Sequence, residues 1–322
     1  MKKFFALLMA LVMALSLVAC GGNEEPAEET TDETATEETT EKAPEDYTGE
    51  VQLYSTMTEA DLMWGGLADS DGDAYAEIFE AWVSEYDAEN MEGYTSPNGL
   101  YSMDHLSTVV FVINEDLEKE LGLNIQSYED LLDPALKGKI ATADPNSSSS
   151  AWNNLSNIMA VYGADTDEAW AYIEQLMPNL VILGSSSGVF KNTQAGEYVV
   201  GLTYEDGAVG LVRDGATNIR LQYPTNGTSA SCFGTALVKN GPNPENAKVF
   251  IDFICSAEGQ TALAAYQEGT LRYTNANYTA PENAWLTDSS EITWVVRDVE
   301  YLTANKGAIL DHWNASWAKV VG

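Results

Sequence analysis

The sequence has few basic side chains, few histidines and few cysteines. It holds 15 Lys and Arg against 50 Asp and Glu, which gives a formal net charge of −35. Proteins bind nucleic acids largely through Lys and Arg contacts to phosphates, so this composition excludes that class of partner. The two histidines, His105 and His312, are too few for a zinc cluster of the usual His and Cys ligands.

Long apolar runs are also missing, except at the N-terminus. Lys2 and Lys3 precede "FFALLMALVMALSLVA", which ends just before Cys20 and is shorter than the ~20 residues of a membrane-spanning helix. This pattern is typical of a secretory signal peptide, here residues 1–20. "LVAC" resembles a bacterial lipobox, which implies that Cys20 becomes the lipidated first residue. The alternative is a soluble secreted protein with an incidental cysteine.

Residues 21–48 are predicted to be an acidic, disordered tether. The stretch 21–50 contains 12 Asp or Glu, one Lys and no aliphatic side chain larger than Ala. It buries too little apolar surface to offset the entropy lost on ordering, and its like charges repel one another.

The other two cysteines leave two alternatives. Cys232 and Cys255 either pair in an oxidising compartment or remain thiols. Cys255 lies in "VFIDFICSAEG", on the apolar face of a predicted helix, and this position favours two buried thiols.

Strand-like and helical runs alternate through most of the chain. The β-branched runs are "EVQLYS", "LSTVVFVIN", "KIATADP", "NLVIL" and "EYVVGLTYE"; the helical runs include "DAYAEIFEAWVSEY", "SSAWNNLSNIMAVYG" and "TDEAWAYIEQLM". Two long amphipathic regions follow, "NPENAKVFIDFICSAEGQTALAAY" and "SEITWVVRDVEYLTANKGAILDHWNASWAKVV". The alternation predicts an α/β fold with largely parallel sheets. The length suits two lobes better than a single core.

Several segments resemble the extracellular solute-binding proteins of bacterial ABC importers. They are "LYSTMTE", "MWGGLADSDGD", "SYEDLLDPALKGKI", "DPNSSSSAWNNL" and "NAKVFIDFICSAEGQTAL". The similarity is greatest to the family labelled ferric-iron binding, whose relatives also carry phosphonates and sugar phosphates. It implies the two-lobe periplasmic-binding-protein type II fold, with the ligand in a cleft between the lobes. Lobe one is then expected at 49–138 and 227–322, and lobe two at 139–226.

One connection is shorter than in the family. Only a few residues separate "VQLYS" from "MWGG", where the resemblance implies a helix and a strand. A parallel crossover needs a dozen or more residues. The first lobe is therefore predicted to lack an early helix and strand, as a natural variant or through a deletion.

The segment "DSDGDAYAEIFE" imitates a calcium-binding loop. Asp69, Asp71, Asp73 and Glu80 occupy positions 1, 3, 5 and 12 of the EF-hand pattern. However, Ala74 replaces the glycine that the loop turn needs, and the apolar spacing predicts a helix from near Asp73. We interpret the segment as a glycine turn and helix start at the mouth of the cleft.

A second motif imitates a hydrolase. "GSSSG", residues 184–188, matches the nucleophile-elbow pattern with Ser186 at its centre, and His312 lies downstream. "VFKNTQAGEY" is a poor elbow helix, and no glycine-rich oxyanion loop is found. We therefore expect a binding protein and not an enzyme, with a secreted serine hydrolase as a remote alternative.

The same serines suit an anion-binding site. "DPNSSSSAWNN", "LGSSSG" and "TNGTSAS" place hydroxyls and backbone N–H groups at turns and helix starts, which are common anion sites. The resemblance places these clusters, together with "LYST" and "MWGG", at the cleft. The predicted ligand-binding residues are Ser55, Thr56, Gly65, Gly66, Ser148, Ser149, Ser185, Ser186, Tyr204, Glu205, Asp206 and Thr228.

The predicted cargo is a small anion, phosphorylated or another oxyanion. Iron-binding members of the family have two neighbouring tyrosines at "GLTYEDGA", whereas here Tyr204 is followed by Glu205 and Asp206. These three are expected to meet a hydroxyl or amine of the cargo. A ferric-iron site with Tyr204 and Glu205 as ligands is the alternative. The resemblance further implies a monomer without cofactor, lipid-anchored outside the bacterial cell membrane, that delivers its cargo to an ABC permease.

Overall fold

The computed structural model of the chain describes residues 76–322. The strands are β1 (Ser102–Asn114), β2 (Ile140–Ala143), β3 (Leu180–Leu183), β4 (Val200–Tyr204), β5 (Ile219–Gln222), β6 (Ala230–Thr235) and β7 (Arg272–Tyr273). The α-helices are α1 (Glu115–Glu120), α2 (Ser149–Tyr162), α3 (Asp167–Leu176), α4 (Ser186–Gln194), α5 (Glu205–Arg213), α6 (Pro244–Cys255), α7 (Ala257–Tyr266), α8 (Val299–Ala304) and α9 (Lys306–Val320). Short 3-10 helices cover Glu85–Glu89, Glu129–Leu132, Pro134–Leu136, Met177–Asn179 and Ser289–Glu291.

Strand β1 takes part in two sheets. Its residues 102–108 pair with β6, and two of them also pair with β7. Its residues 109–114 pair with β4 and β5. The strands β6, β1 and β7 are termed sheet A, and the set in the order β3-β2-β4-β1-β5 is termed sheet B. β1 therefore carries the chain from one sheet into the other.

Strands β4 and β7 lie along the same edge of β1. Val109 donates its N–H to the carbonyl of Ser229 (3.1 Å) and faces Tyr204 on the opposite edge. The segment leading into β6 is thus on the edge away from β4. Because β6 and β7 both pair with His105 and Leu106, β7 occupies the edge that β4 uses further along. The end of β4 consequently lies near β7.

The predicted strands within the described residues form, but their directions are mixed. β2 pairs in parallel with β3 and β4, whereas β1 runs antiparallel to each of its four partners. The expectation of largely parallel sheets therefore holds only for β2, β3 and β4. The directions are mixed because β1 comes into sheet B from sheet A and runs in the direction opposite to that of β4.

Helices cover both faces of sheet B. α2, α3 and α9 pack on one face with Phe111 and Ile113, and α4 and α5 pack on the other face around Val112. The C-terminal helix α9 reaches the first of these cores through Ile309 and Trp313. The limits expected for the lobes, 49–138 with 227–322 and 139–226, stay a prediction.

Residues 77–84 do not form the predicted helix. Ile78 and Glu80 instead exchange backbone hydrogen bonds with Lys239 and Leu237 (2.9 and 2.8 Å). Phe79 is buried, whereas Ile78 is half exposed. Pairing with a neighbouring extended segment thus overrides the helical spacing of the apolar residues, and the helix predicted from near Asp73 is wrong over this range.

Three other helical predictions need adjustment. The region from Pro244 forms two helices, because Ser256 ends α6 and caps α7 by accepting from the Gly259 N–H. The region starting at "SEITW" becomes helical only at Val299. "VFKNTQAGEY", interpreted as a poor elbow helix, supplies most of α4 through its first six residues, with Ser185 as the N-cap.

Several predictions concern residues outside the described part of the chain. They are the signal peptide 1–20, the tether 21–48, the missing helix and strand, Ser55, Thr56, Gly65, Gly66 and the acidic residues from Asp69 to Asp73. Among the helices described here, none is long and apolar enough to cross a membrane.

The prediction of two buried thiols is confirmed. Cys232 and Cys255 are both buried and are not linked to each other. Burial raises the pKa of each thiol well above its ordinary value. Both side chains therefore behave as small apolar residues in their native surroundings.

Candidate functional site

Three helices begin at one edge of sheet B. β2, β3 and β4 are parallel, and each is followed in the chain by a helix: α2, α4 and α5. Carboxyl ends of parallel neighbours share an edge, so three helix N-termini gather there. This edge adjoins the crossing of β1, because Tyr204 at the end of β4 faces Val109.

Serines cap two of these helices and contact one another. Ser148 Oγ accepts a hydrogen bond from the N–H of Ala151 at the start of α2 (3.3 Å). Ser185 Oγ accepts one from the N–H of Gly188 at the start of α4 (3.1 Å). The hydroxyls of Ser148 and Ser186 are 3.5 Å apart. The structure thus brings together the two serine clusters that the sequence predicted.

Donors remain available between the two caps. The first N–H groups of a helix have no partner inside the helix, and each cap serine satisfies only one of them. Ser149 and Ser185 are exposed, while Ser148 and Ser186 are half-buried. Hydroxyls, N–H groups and two helix N-termini therefore meet at an accessible position, which is the chemistry of an oxyanion site.

The start of α5 carries two carboxylates in different environments. Glu205 is buried, and both of its oxygens accept hydrogen bonds from Arg272 on β7 (2.8 and 2.9 Å). The hydroxyl of Tyr223 also donates to Glu205. Asp206 is half-buried and accepts a hydrogen bond from Ser107 on β1 (3.0 Å). Of the two, only Asp206 retains some exposure to solvent.

The same environment shifts two pKa values at this edge. Burial raises the pKa of Asp206 to about 6, against the opposing effects of the nearby His105 and of the hydrogen bond from Ser107. Burial, reinforced by the charge of Asp206, raises the pKa of Tyr204 to about 12. At neutral pH Tyr204 is therefore a neutral phenol.

Thr228 does not present its hydroxyl to the serines. The side chain is completely buried, and its hydroxyl donates to the carbonyl of Val109 (2.6 Å). The Thr228 N–H donates to the carbonyl of Thr293. These bonds place Thr228 in the second chain crossing between the sheets, and its predicted contact with the cargo stays a prediction.

The description of the family that matches this chain is "bacterial extracellular solute-binding protein", and the match covers residues 74–288. The chain belongs to this family. The two-lobe type II fold and the classification as a binding protein and not an enzyme are thereby confirmed. Membership also places this solute-binding protein outside the cytoplasm, as a component of an ABC importer.

Three individual proteins are similar to this solute-binding protein over much of its length. A Haemophilus influenzae protein is 28% identical over 276 residues, which are 82% of this chain and 78% of that protein. Iron uptake protein A1 of Synechocystis sp. is 30% identical over 213 residues, which are 61% of this chain and only 56% of that protein. The periplasmic binding protein AfuA of Actinobacillus pleuropneumoniae, with exogenous fructose-6-phosphate bound, has 26% identity and a TM-score of 0.68, covering 79% of this chain and 80% of AfuA.

Sequence reasoning missed the arginines of the solute-binding protein. Arg272 binds Glu205, and Arg297 donates to Asn153 on α2 (3.0 Å) and to Ser231 on β6 (2.7 Å). Both arginines are less than a tenth exposed. The chain has only 15 basic residues in total, and this scarcity is the sequence feature that could have drawn attention to the two arginines. Their partners are distant in sequence and had no local signature.

The hydrolase motif does not assemble a catalytic triad. Ser186 contacts Ser148, whereas His312 is exposed on α9 and stacks on Trp170 (3.7 Å between ring centroids). Within residues 76–322, no three or more His, Cys, Asp or Glu side chains are grouped so as to hold a metal ion. Glu80, the last position of the calcium-like segment, is exposed.

Proposed function

We propose that this protein captures a small oxyanion, phosphorylated or otherwise organic, and delivers it to an ABC permease. The convergence of α2 and α4 carries the proposal, because it brings Ser148 Oγ within 3.5 Å of Ser186 Oγ beside two helix N-termini. An oxyanion between them would accept hydrogen bonds from hydroxyls and N–H groups and would be stabilised by both dipoles. Ser149 and Ser185 would complete the set.

The acidity of the protein does not oppose this proposal. A formal charge of −35 repels anions at long range, but repulsion between exposed charges is screened beyond about 10 Å at moderate ionic strength. Affinity then depends on the local donors, and N–H groups and hydroxyls are neutral donors that point at the anion. Such a site needs no excess of Lys or Arg.

Ferric iron is the second candidate, because a Synechocystis relative is an iron uptake protein. Two observations count against it. Both oxygens of Glu205 are engaged by Arg272, whose positive charge repels a cation. Iron(III) also prefers phenolate oxygen, and Tyr204 is followed by Glu205, so a second neighbouring phenolate is absent at this position. The phosphorylated ligand of AfuA supports the anionic alternative.

Asp206 suits the other end of the cargo. It retains partial exposure at the same edge of sheet B, and its carboxylate is held by Ser107. We propose that it accepts a hydrogen bond from a hydroxyl or amine of the cargo. A sugar phosphate or an aminophosphonate carries both an anionic group and such a donor.

The proposal includes the mode of anchoring. Cys20 would carry the lipid as the first residue once residues 1–19 are removed, and the acidic stretch 21–48 would separate a monomeric binding domain from the membrane surface. Binding energy in the cleft would favour closure of the two lobes, and the permease would recognise the closed form.

Isothermal titration calorimetry with fructose-6-phosphate, 2-aminoethylphosphonate, a dicarboxylate and ferric citrate tests the proposal. A phosphorylated or phosphonate ligand should bind, and Ser186→Ala should weaken that binding about tenfold through loss of one hydrogen bond to a charged group. Ser147→Ala is the matched control, because Ser147 is exposed and precedes the cap. Binding of ferric citrate alone would contradict the anion proposal.

A further inference from the structure

The pair of Glu205 and Arg272 joins the two sheets directly. Glu205 is the first residue of α5, which follows β4 of sheet B, and Arg272 is the first residue of β7 in sheet A. β4 and β7 use the same edge of β1, one on each side of the crossing. The ion pair therefore spans the place where this edge passes from one sheet to the other.

The guanidinium of Arg272 has further partners around it. Besides Glu205, it donates to the carbonyl of Thr287 (2.6 Å) and to the hydroxyl of Ser289 (2.8 Å). It lies 6.0 Å from the ring centroid of Trp294. These contacts hold the guanidinium of Arg272 in one orientation, in which it faces Glu205.

No comparable pair exists elsewhere in residues 76–322. Of the salt bridges there that involve Lys or Arg, only this one has both side chains less than a tenth exposed, at 8% for Arg272 and 2% for Glu205. Exposed pairs contribute little to stability, whereas a buried charge that loses its partner is costly. Separation of the two elements gives up two charge-assisted hydrogen bonds, and it costs most while either charge is still excluded from water.

We propose that Glu205 and Arg272 are positioning residues that favour the arrangement of the two lobes seen here over a more open one. Opening the cleft moves α5 away from β7 and breaks the pair. The apparent affinity for a ligand scales with the fraction of protein in the binding-competent form. The pair raises that fraction, so its loss lowers affinity for any cargo. This inference concerns closure and does not depend on the cargo being an anion.

The decisive variant removes both charges together. Glu205→Gln with Arg272→Met leaves no unpaired buried charge, and replacing a buried pair by neutral groups of similar size is often tolerated. Spin labels at Glu168→Cys on α3 and Tyr266→Cys on α7 report the distance between the two sides, because both positions are exposed. Cys20→Ser removes the remaining reactive position, since Cys232 and Cys255 are buried.

Pulsed electron paramagnetic resonance on the ligand-free protein measures the distance between the two spin labels. We expect the distance distribution of the double variant to shift toward longer distances relative to that of the wild type. Glu118→Gln with Arg220→Met is the matched control, because that pair joins α1 to β5 on one side only (2.7 Å). The control should keep the wild-type distances.

An unchanged distance distribution in the folded double variant would overturn the inference, whatever the melting temperature. If the double variant does not fold, Glu205→Asp keeps the charge and shortens the side chain by one methylene. It should give a smaller shift in the same direction, and wild-type distances in Glu205→Asp would equally overturn the inference. Failure of the calorimetric test above leaves this measurement unaffected, since no ligand is present.

Discussion

The hydroxyl of Thr228 donates a 2.6 Å hydrogen bond to the carbonyl of Val109, where two chain segments cross between the sheets. Val109 is the first residue of β1 that pairs within sheet B, and Thr228 comes shortly before β6. Thr228 is completely buried. The two crossing segments are therefore tied to each other by a side chain as well as by backbone hydrogen bonds.

Replacing this hydroxyl should destabilise the protein. Thr228→Val keeps the shape of the side chain but leaves the Val109 carbonyl without this donor, and we expect the free energy of unfolding to fall by about 1–3 kcal/mol. Urea denaturation followed by tryptophan fluorescence measures the change. Thr225→Val is the control, because Thr225 is exposed on the same segment. Equal effects of both substitutions would show that the hydrogen bond contributes nothing specific.

Asp206 should make stability depend on pH. Its pKa is raised to about 6 in the folded protein from an ordinary value near 3.8, so the folded state binds the proton more tightly than the unfolded state. The stabilising effect of protonation is complete below about pH 4 and is lost as pH rises through 6. Asp206→Asn should therefore be more stable than the wild type at pH 7, and this advantage should disappear toward pH 4. Thermal unfolding across this range checks it, and a difference independent of pH would contradict it.

Ferric citrate should not produce a tyrosinate–iron charge-transfer band. Glu205, the residue after Tyr204, is bound to Arg272, and no second tyrosine adjoins Tyr204 in the sequence. Visible absorption spectroscopy during a ferric citrate titration is the measurement. A band that disappears in Tyr204→Phe but persists in Tyr198→Phe would show that iron binds through Tyr204.

The two buried cysteines should be unreactive in the native protein. Burial raises the pKa of Cys232 and Cys255, and only the thiolate is a good nucleophile. In a Cys20→Ser background, Ellman's reagent should detect no thiol under native conditions and two after denaturation in guanidinium. Two fast-reacting thiols in the native state would contradict the burial of both side chains.

Lipidation should depend on Cys20. Cells that express the full chain should incorporate radiolabelled palmitate into the protein, and Cys20→Ala should abolish the label, because a lipobox directs the lipid to its cysteine. Cys255→Ala serves as the control for thiol loss, since Cys255 is buried. Equal labelling of the wild type and Cys20→Ala would rule out the lipoprotein assignment.

The sequence alone was sufficient where local chemistry fixes structure. The strands β1 to β4 were predicted from their β-branched runs, and α2 and α3 from apolar residues at helical spacing. The serine cluster at 147–150 was identified as a helix start, and Ser148 is indeed the N-cap of α2, whereas the helix that Ser185 caps was not predicted. A cap depends on residues within one helical turn, so a short stretch of sequence contains all the partners.

Only the tertiary structure decided the remainder. It showed that β1 belongs to two sheets, that residues 78–80 pair with 237–239, and that Arg272 meets Glu205 across 67 positions of sequence. Each of these depends on which distant segments become neighbours. Hydrophobic spacing records whether a residue is buried but not what it is buried against, so the same apolar pattern around Phe79 fitted a helix as well as an extended segment. The serines determined which hydrogen-bond donors the candidate site contains. The chain topology determined that the helices carrying them begin next to each other.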